Sequence, residues 1–541
     1  VRLPDRPTAA SLLLLGVLPV VAFAQGGRTA ALGRESPDLL GHLWTIWHAT
    51  QEPLTRTMLL SWPEGVDLLP ILGGWADIAL AAAVAPALGV MGGWNLAMAA
   101  YLGLAGLGGW ALSRELGAGP LGAAAGGLVL QLDPATLHHL HTGRGEQVGI
   151  GVLALFLAAG LRAHRQAGWG APVALALTGV ASLAVAWEYG LFVALFGLLV
   201  FLGAPDNGAR MRVLGGGLGA VLLSLPLVLP FVFRSMEAPP GRFVDDWAMR
   251  AARNALVPFG PRGWGGALPA VVPMLALLGL PWTATGVRPR VRALLGGLLL
   301  FCLLAALGPE PHLSAPPEGE PRAWAPFTWL HALPVFSRYQ TPVRLLAPWG
   351  LLAAAAVGLA GAAAVRRWGR RGAVVAVVLV GAALFEVRGL LPRAEYRLPR
   401  WPGLERIAQD PHPGAVYDLP ASSRGGRSID KQLAQMVHGR PIRHHSLQVY
   451  LEGAEPPAVD PFQTFTLGRA RQGEEQRRRE ALALQSLQDR GFGWVVLYAG
   501  QIRPSQEDRL ANRVSSILGA PAVTARGLRA WRVPEGGERG E

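Results

Sequence analysis

Apolar runs of roughly bilayer length, separated by short polar turns, recur along most of this 541-residue chain. They fall at 8–25, 75–91, 92–113, 120–137, 147–161, 171–187, 189–204, 213–233, 267–284, 293–308, 344–364 and 373–391. The run 75–91 stands apart because it is short, holds Pro86 and is separated from the next run only by a Gly-Gly pair. The arginines decide its role, since basic residues favour the cytoplasmic side. If 75–91 does not cross and the N-terminus is cytoplasmic, the inside loops carry Arg2 and Arg6, Arg114, Arg162 and Arg165, Arg210 and Arg212, Arg288, Arg290 and Arg292, and Arg366, Arg367, Arg370 and Arg371. If it does cross, all but the first pair move outside. The pattern therefore predicts eleven spans, with 75–91 an interfacial or re-entrant helix at the outer leaflet. Residues 1–24 also read as a signal peptide, with "AFA" before Gln25, and either outcome leaves Asp38 outside.

This topology predicts a transmembrane domain over 1–391 and outer loops at 26–74, 133–147, 234–266 and 309–343. The tail, 392–541, has ordinary polarity. Strand-like runs at 414–420, 493–498 and 528–534 alternate with helical patterns at 474–490 and 505–518, which predicts a small extracytoplasmic α/β domain. It has no phosphate-binding Walker loop and no GxGxxG before a helix, which argues against a nucleotide site.

Composition agrees with a polytopic membrane protein: 51% of residues are apolar, 16% are charged and the mean hydropathy is +0.32. The net charge of +13 does not point to nucleic acid, because there is no long basic run with interleaved aromatics. Lys431 is the only lysine. Cys302 is the only cysteine and lies in an apolar run, which excludes a disulfide within the chain.

The polar residues near the membrane boundary carry the candidate chemistry. In "RESPDLLGHLWTIWHA" (34–49), a helix capped by Ser36 and begun by Pro37 would align Asp38, His42 and Thr45 on one face. Leu39, Leu43, Ile46 and Trp47 would face lipid or other helices. Asp38 is then a catalytic base or metal ligand, or else an acid paired with a neighbour such as Arg34. The second outer loop gathers His138, His139, His141, Arg144 and Glu146, a set that could bind a metal or an anion, or form a polar turn. Asp133-Pro134 is positioned to end the preceding apolar segment. Glu188 is either buried and paired or lines a cavity. Glu64 and Asp67 read first as a solvated turn. Arg338, Tyr339 and Arg344 precede a span on the outer side, against the charge rule. Phosphate or headgroup binding, or pairing with an outer acid, would account for them.

In their order, several stretches resemble a family of bacterial GT-C-type membrane glycosyltransferases. They are "SPDLLGHLWTIWHA", "PEGVDLLP", the block from "NLAMAAYLGLAGLGGWALSRELG" to "LDPATLHHLHTG", "LPVFSRYQTPVRLLAPWGL", and in the tail "GAVYDLP", "HGRPI" and "RGFGWVVLY". The resemblance covers most of the chain. It implies a bacterial inner-membrane protein with a cavity open to the outer leaflet, a polyprenyl-phosphate-linked sugar as donor, and a first-loop acid as base or metal ligand. Asp38 is the matching position. The adjacent acid pair of many relatives is absent, with only Glu35 nearby, and the second-loop acid gives way to the His-rich stretch. The expected reaction is inverting transfer to a glycan, lipid or protein acceptor. Asp38 would take the acceptor proton, and Arg338, Arg344, Arg144 and Glu146 would hold substrate. A divalent metal on Asp38 with His42, His139 or His141 is a further option. Asp38 is expected to face a cavity shared with His139 or His141. The alternative is a non-catalytic scaffold or lipid-binding protein of cell-envelope glycan assembly.

Overall fold

The computed structural model describes residues 6–68, 74–237, 289–306, 325–332, 342–398, 400–420, 428–443 and 473–535. The chain divides into two compact units, one of Val1–Glu35 with Leu72–Tyr396, the other of Ser36–Ile71 with Arg397–Glu541. The units meet along the chain at 35/36, 71/72 and 396/397, so the loop 26–74 is divided between them.

In the first unit, seven helices among the described residues are long and apolar enough to cross a membrane, and Gly170–Val185 and Tyr189–Gly203 are shorter apolar helices. The predicted segment 267–284 lies outside the described residues, and the count of eleven spans therefore extends beyond them. The segments 75–91 and 92–113 appear as one 40-residue element, Ala76–Glu115, broken at Gly89. Gly89 adopts φ +74°, which glycine reaches without steric cost. A Cβ on Gly93 would stand 2.5 Å from the Ala81 carbonyl oxygen. In a continuous helix, residues twelve apart would be about 18 Å apart. The chain therefore reverses at Gly89, and Ala76–Leu88 lies back along the following helix.

One side chain holds the start of the first loop onto this hairpin. The Asn95 amide donates to the carbonyls of Gly27 (3.1 Å) and Ala30 (2.8 Å) and accepts from the Leu32 N–H (2.8 Å). The Trp94 indole donates to the Leu32 carbonyl (2.9 Å). Loop backbone that would otherwise be left unsatisfied in a closed interior is thereby paired.

The second unit is built around a four-stranded sheet. Its strands follow a short antiparallel ribbon, β1 (Arg56–Thr57) and β2 (Val66–Asp67). The sheet comprises β3 (Ala415–Leu419), β4 (Phe492–Tyr498), β5 (Val523–Ala525) and β6 (Leu528–Arg532), in the order β3-β4-β6-β5. β3 and β4 are parallel, and the other pairs are antiparallel. Every residue of β3 and β4 is buried, which explains their apolar runs; Asp418, the acid within β3, accepts from the Tyr498 hydroxyl (3.0 Å). Helices Glu474–Asp489 and Pro504–Leu518 fall where the pattern predicted them. The only lysine, Lys431, is buried and donates to the Pro420 carbonyl (2.6 Å).

Helix Pro37–Ala49 belongs to this unit, and Ser36 caps it as expected, its hydroxyl accepting from the Leu39 N–H at 3.1 Å. Its apolar face covers protein. Trp44 shares a core with Leu60, Val66 and Leu68 of the same loop and with Leu404, Val416, Trp494 and Val496 of the tail. The Trp44 indole donates to Gln435 Oε1 (2.8 Å), Ile442 N–H to the Leu59 carbonyl (2.9 Å), and the Trp62 indole to the Arg490 carbonyl (2.7 Å). Removing a fully buried Trp side chain costs about 3–5 kcal/mol. Trp44→Ala is therefore expected to lower the stability of the second unit by that amount, measured by urea unfolding of the full chain with near-UV circular dichroism, while Trp169→Ala at an exposed position has no comparable effect.

Candidate functional site

The residues proposed from sequence divide between the units. Asp38 and His42 lie in the second unit, on the half-buried side of their helix. Thr45 turns its hydroxyl to the Gly41 carbonyl (2.8 Å) and is buried. Glu64 stands exposed in a turn, as expected, and pairs there with Arg443, and Asp67 lies in β2 opposite Arg56. His138, His139, His141, Arg144, Glu146 and Arg344 lie in the first unit. Arg338 and Tyr339 lie outside the described residues. The cavity expected to join Asp38 with His139 or His141 involves residues of both units.

Within the first unit a buried polar constellation is built from four stretches. Asp133 ends the fourth apolar segment and caps the helix Pro134–His141, accepting from the Thr136 N–H (2.8 Å) and hydroxyl (2.9 Å). That helix and the turn after it carry the imidazoles, Arg144 and Glu146. Glu188 lies at the junction of two apolar helices. Arg344 comes from a short 3-10 turn, Pro342–Leu346, ahead of the helix Ala347–Trp368. Its Nη1 donates to both Glu188 oxygens (3.0 and 3.3 Å), and its Nη2 lies 3.5 Å from Glu146. Gln147 donates a short hydrogen bond to Glu188, and the Tyr189 hydroxyl donates to the Gln147 carbonyl (3.3 Å). Of the alternatives left open by sequence, Glu188 is buried and paired, and Arg344 is paired with Glu188 and Glu146.

Asp77 is the member that the sequence reading missed. It is 1% exposed, in the first turn of the hairpin helix, and a Cβ on Gly145 would collide with its carboxylate. A signal was present: a carboxylate inside an apolar segment is costly unless it has a specific setting. Gly74, three residues before it, is packed against the Val185 carbonyl and Glu146 too closely for a side chain. Four buried carboxylates, those of Asp77, Asp133, Glu146 and Glu188, thus share one region with Arg344.

The imidazoles on the second loop are held neutral. His138 is pushed down to about 4, first by burial and then by Arg144 and Arg34. His139 falls well below the usual range through burial, Arg144 and Arg344. His141 is lowered mainly by burial, with Glu395 opposing and Arg34 and Arg393 reinforcing the shift. Neutral imidazole can ligate a metal or exchange a hydrogen bond. Among the described residues no three His, Cys, Asp or Glu side chains converge in a way that would hold a metal ion.

Comparison with known proteins places this geometry in a structural class. No protein-family model matches the sequence, and no curated protein matches it. Solved structures do match. An arabinofuranosyltransferase AftD from mycobacteria (mutant R1389S, class 2) has 15% identity and a TM-score of 0.61 over 99% of this chain and 42% of its own. This chain thus spans less than half the length of AftD. ArnT from Cupriavidus metallidurans in the apo state has 14% identity and a TM-score of 0.53 over 97% of this chain and 98% of its own. The oligosaccharyltransferase AglB of Archaeoglobus fulgidus, in complex with an inhibitory peptide and a dolichol-phosphate, has 11% identity and a TM-score of 0.50 over 91% of this chain and 69% of its own. A second ArnT structure is bound to undecaprenyl phosphate. The shared fold is that of the GT-C glycosyltransferases.

Two outcomes follow from this chemistry. Arg344→Ala would leave Glu188 buried without its cation, so it is expected to destabilise the first unit by about 3–5 kcal/mol. The double variant Arg344→Met/Glu188→Leu should recover most of that loss in thermal unfolding in detergent. Secondly, His138 is neutral in the fold down to about 4 but titrates near 6.5 when unfolded, so the unfolded chain binds more protons between these values. Its contribution to stability is intact above pH ~6.5 and is lost as pH falls toward ~4. Melting temperature should drop across that window, and His138→Asn should reduce the slope.

Proposed function

We propose that this chain, a multi-pass membrane protein with the GT-C glycosyltransferase fold, transfers a sugar from a polyprenyl-phosphate carrier to an acceptor on the outer face of the bacterial inner membrane. The observation that carries the reading is the fold match over nearly the full length of both chains in ArnT, a protein also solved with undecaprenyl phosphate bound. The buried carboxylates and guanidinium of the first unit support it. A protein that only fills the bilayer has no use for several carboxylates there.

In the proposed reaction an acceptor oxygen attacks the anomeric carbon, the bond from that carbon to the phosphate oxygen breaks, and configuration inverts. The acceptor proton passes to a carboxylate base, assigned to Asp38 on its match to the family's first-loop acid. The electron pair stays on the phosphate, which leaves as the polyprenyl phosphate monoester. A divalent metal, if one is used, would assist this departure by neutralising charge.

General-base catalysis contributes about 10²–10⁴-fold. Asp38→Asn is therefore expected to slow transfer from a polyprenyl-phosphate sugar by at least about a hundredfold while leaving the fold intact. The assay is radiolabelled sugar transfer to envelope extracts in proteoliposomes, with and without divalent metal. Unchanged transfer by Asp38→Asn removes Asp38 from this role. A phenotype in cells that survives Asp38→Asn but is lost on deleting 392–541 favours the non-catalytic scaffold.

A further inference from the structure

We propose that the tight turn Arg366-Arg367-Trp368-Gly369-Arg370-Arg371, together with the outward face of the helix that follows it, binds an anionic phospholipid bearing two phosphates. This site is separate from the glycosyl-transfer reading. The turn joins helix Ala347–Trp368 to helix Arg370–Val387, and the 22 residues of the first helix put about 33 Å between it and the network around Arg344.

Gly369 closes the turn with φ +56°, and its N–H donates to the Val365 carbonyl (2.9 Å). The two helices meet at once, because a Cβ on Gly372 would collide with the Ala364 carbonyl. Chain connectivity thus confines four guanidiniums to one end of one hairpin. All four are exposed, as is Trp368 between them. Several other arginines that the charge rule assigns to the same side are engaged by the protein. Arg114 donates to the Ala118 carbonyl (3.3 Å), Arg162 to Gln166 (2.7 Å), Arg165 to the Glu115 carbonyl (2.7 Å) and Arg212 to the Ala163 carbonyl (2.9 Å). Among the described residues, no side chain pairs with Arg366, Arg367, Arg370 or Arg371. Arg370 and Arg371 also stand in the first turn of their helix, where the dipole disfavours cations, and no acid shares that turn. A bound anion offsets this cost and the mutual repulsion of the four charges.

The adjoining surface shows what kind of anion fits. From Arg370 the outward face of the helix runs through Val374, Val377, Val378, Gly381 and Phe385, spaced three or four residues apart and all exposed. A Cβ on Gly381 would meet nothing within 4 Å, while on the inward side Ala376 packs against Gly361. Phosphate at the guanidiniums and acyl chains along this stripe match a phospholipid. An acidic protein would leave the stripe unused. Trp368 stands between the two parts, as indoles do at a bilayer interface. The arginines form two adjacent pairs on two helices, and a pair of guanidiniums suits one phosphate. A lipid with two phosphates therefore bridges both helix ends. Helix Arg370–Val387 packs on helices Ala347–Trp368 and Pro120–Gln131 but is mostly exposed, so the bridge would fasten it to the bundle.

The test is native mass spectrometry of the full chain released from phosphatidylcholine nanodiscs doped with cardiolipin or phosphatidylglycerol at equal phosphate, with thermal unfolding in the same nanodiscs. The wild type is expected to retain one cardiolipin in preference to phosphatidylglycerol and to melt at higher temperature with it. Arg366→Gln/Arg367→Gln and Arg370→Gln/Arg371→Gln should each weaken cardiolipin binding roughly thirtyfold, the effect of removing two cations at the membrane surface. Near-UV circular dichroism of both variants should match the wild type. Arg162→Gln/Arg290→Gln, which removes the same charge from other exposed positions, should leave binding nearly unchanged. An equal loss in that control assigns the effect to general surface charge and overturns the site. Equal retention of phosphatidylglycerol overturns the two-phosphate assignment. Polyglutamate that binds this turn more tightly than cardiolipin marks a protein-docking face and overturns the proposal.

Discussion

Trp44 is fully buried, and its indole N–H finds an acceptor in Gln435, 391 residues further along the chain. An indole closed into an apolar core needs such a partner, and a core closed around Trp44 needs the segment that carries it. This seating determines the organisation of the protein. It makes residues 36–71 part of the second unit, apart from the first unit that carries the apolar helices. The tail sheet is completed as a folded core by a loop that precedes it by several hundred residues. Asp38 is carried on the same helix, so its position depends on the packing of the second unit.

In the membrane unit the governing constraint is the cost of charge away from water. Asp77, Glu146 and Glu188 are tolerated because they are packed with Arg344, Gln147 and the tyrosines around them. The imidazoles nearby meet the same constraint differently, by giving up their protons. Glycine appears where these polar elements meet: Gly74 under Glu146, Gly145 under Asp77 and Gly33 under the Leu140 carbonyl. At each contact a side chain would prevent the loops from closing together.

Much of this fold can be read from the sequence because its signals are local. Span-length apolar runs, the Ser36-Pro37 helix start, and β3, β4 and β6 depend on neighbouring residues, and the structure places them within a few positions of expectation. What could not be read depends on long-range pairing. No periodicity indicates that Trp44 meets Gln435 and shares a core with Trp494, so the apolar face of that helix reads as suited to lipid or to other helices. The reversal at Gly89 hides within a continuous helical pattern. The site was partly legible: Glu146, Glu188 and Arg344 were singled out as charges in unexpected places, and they form one network. Asp77 was overlooked because it begins an apolar segment whose crossing, not its chemistry, was the question. β5, only three residues long, is defined by its pairing with β6.

The account depends on a sugar leaving a polyprenyl phosphate. Phosphorus NMR follows that event directly, since the donor is a phosphodiester and the product a phosphomonoester with a distinct, pH-dependent shift. Incubating the purified full chain with polyprenyl-phosphate sugars and envelope acceptor in proteoliposomes is predicted to convert the diester signal to the monoester signal. A diester signal that persists for every sugar donor supplied, with protein shown to be folded and with metal both present and absent, would contradict the account.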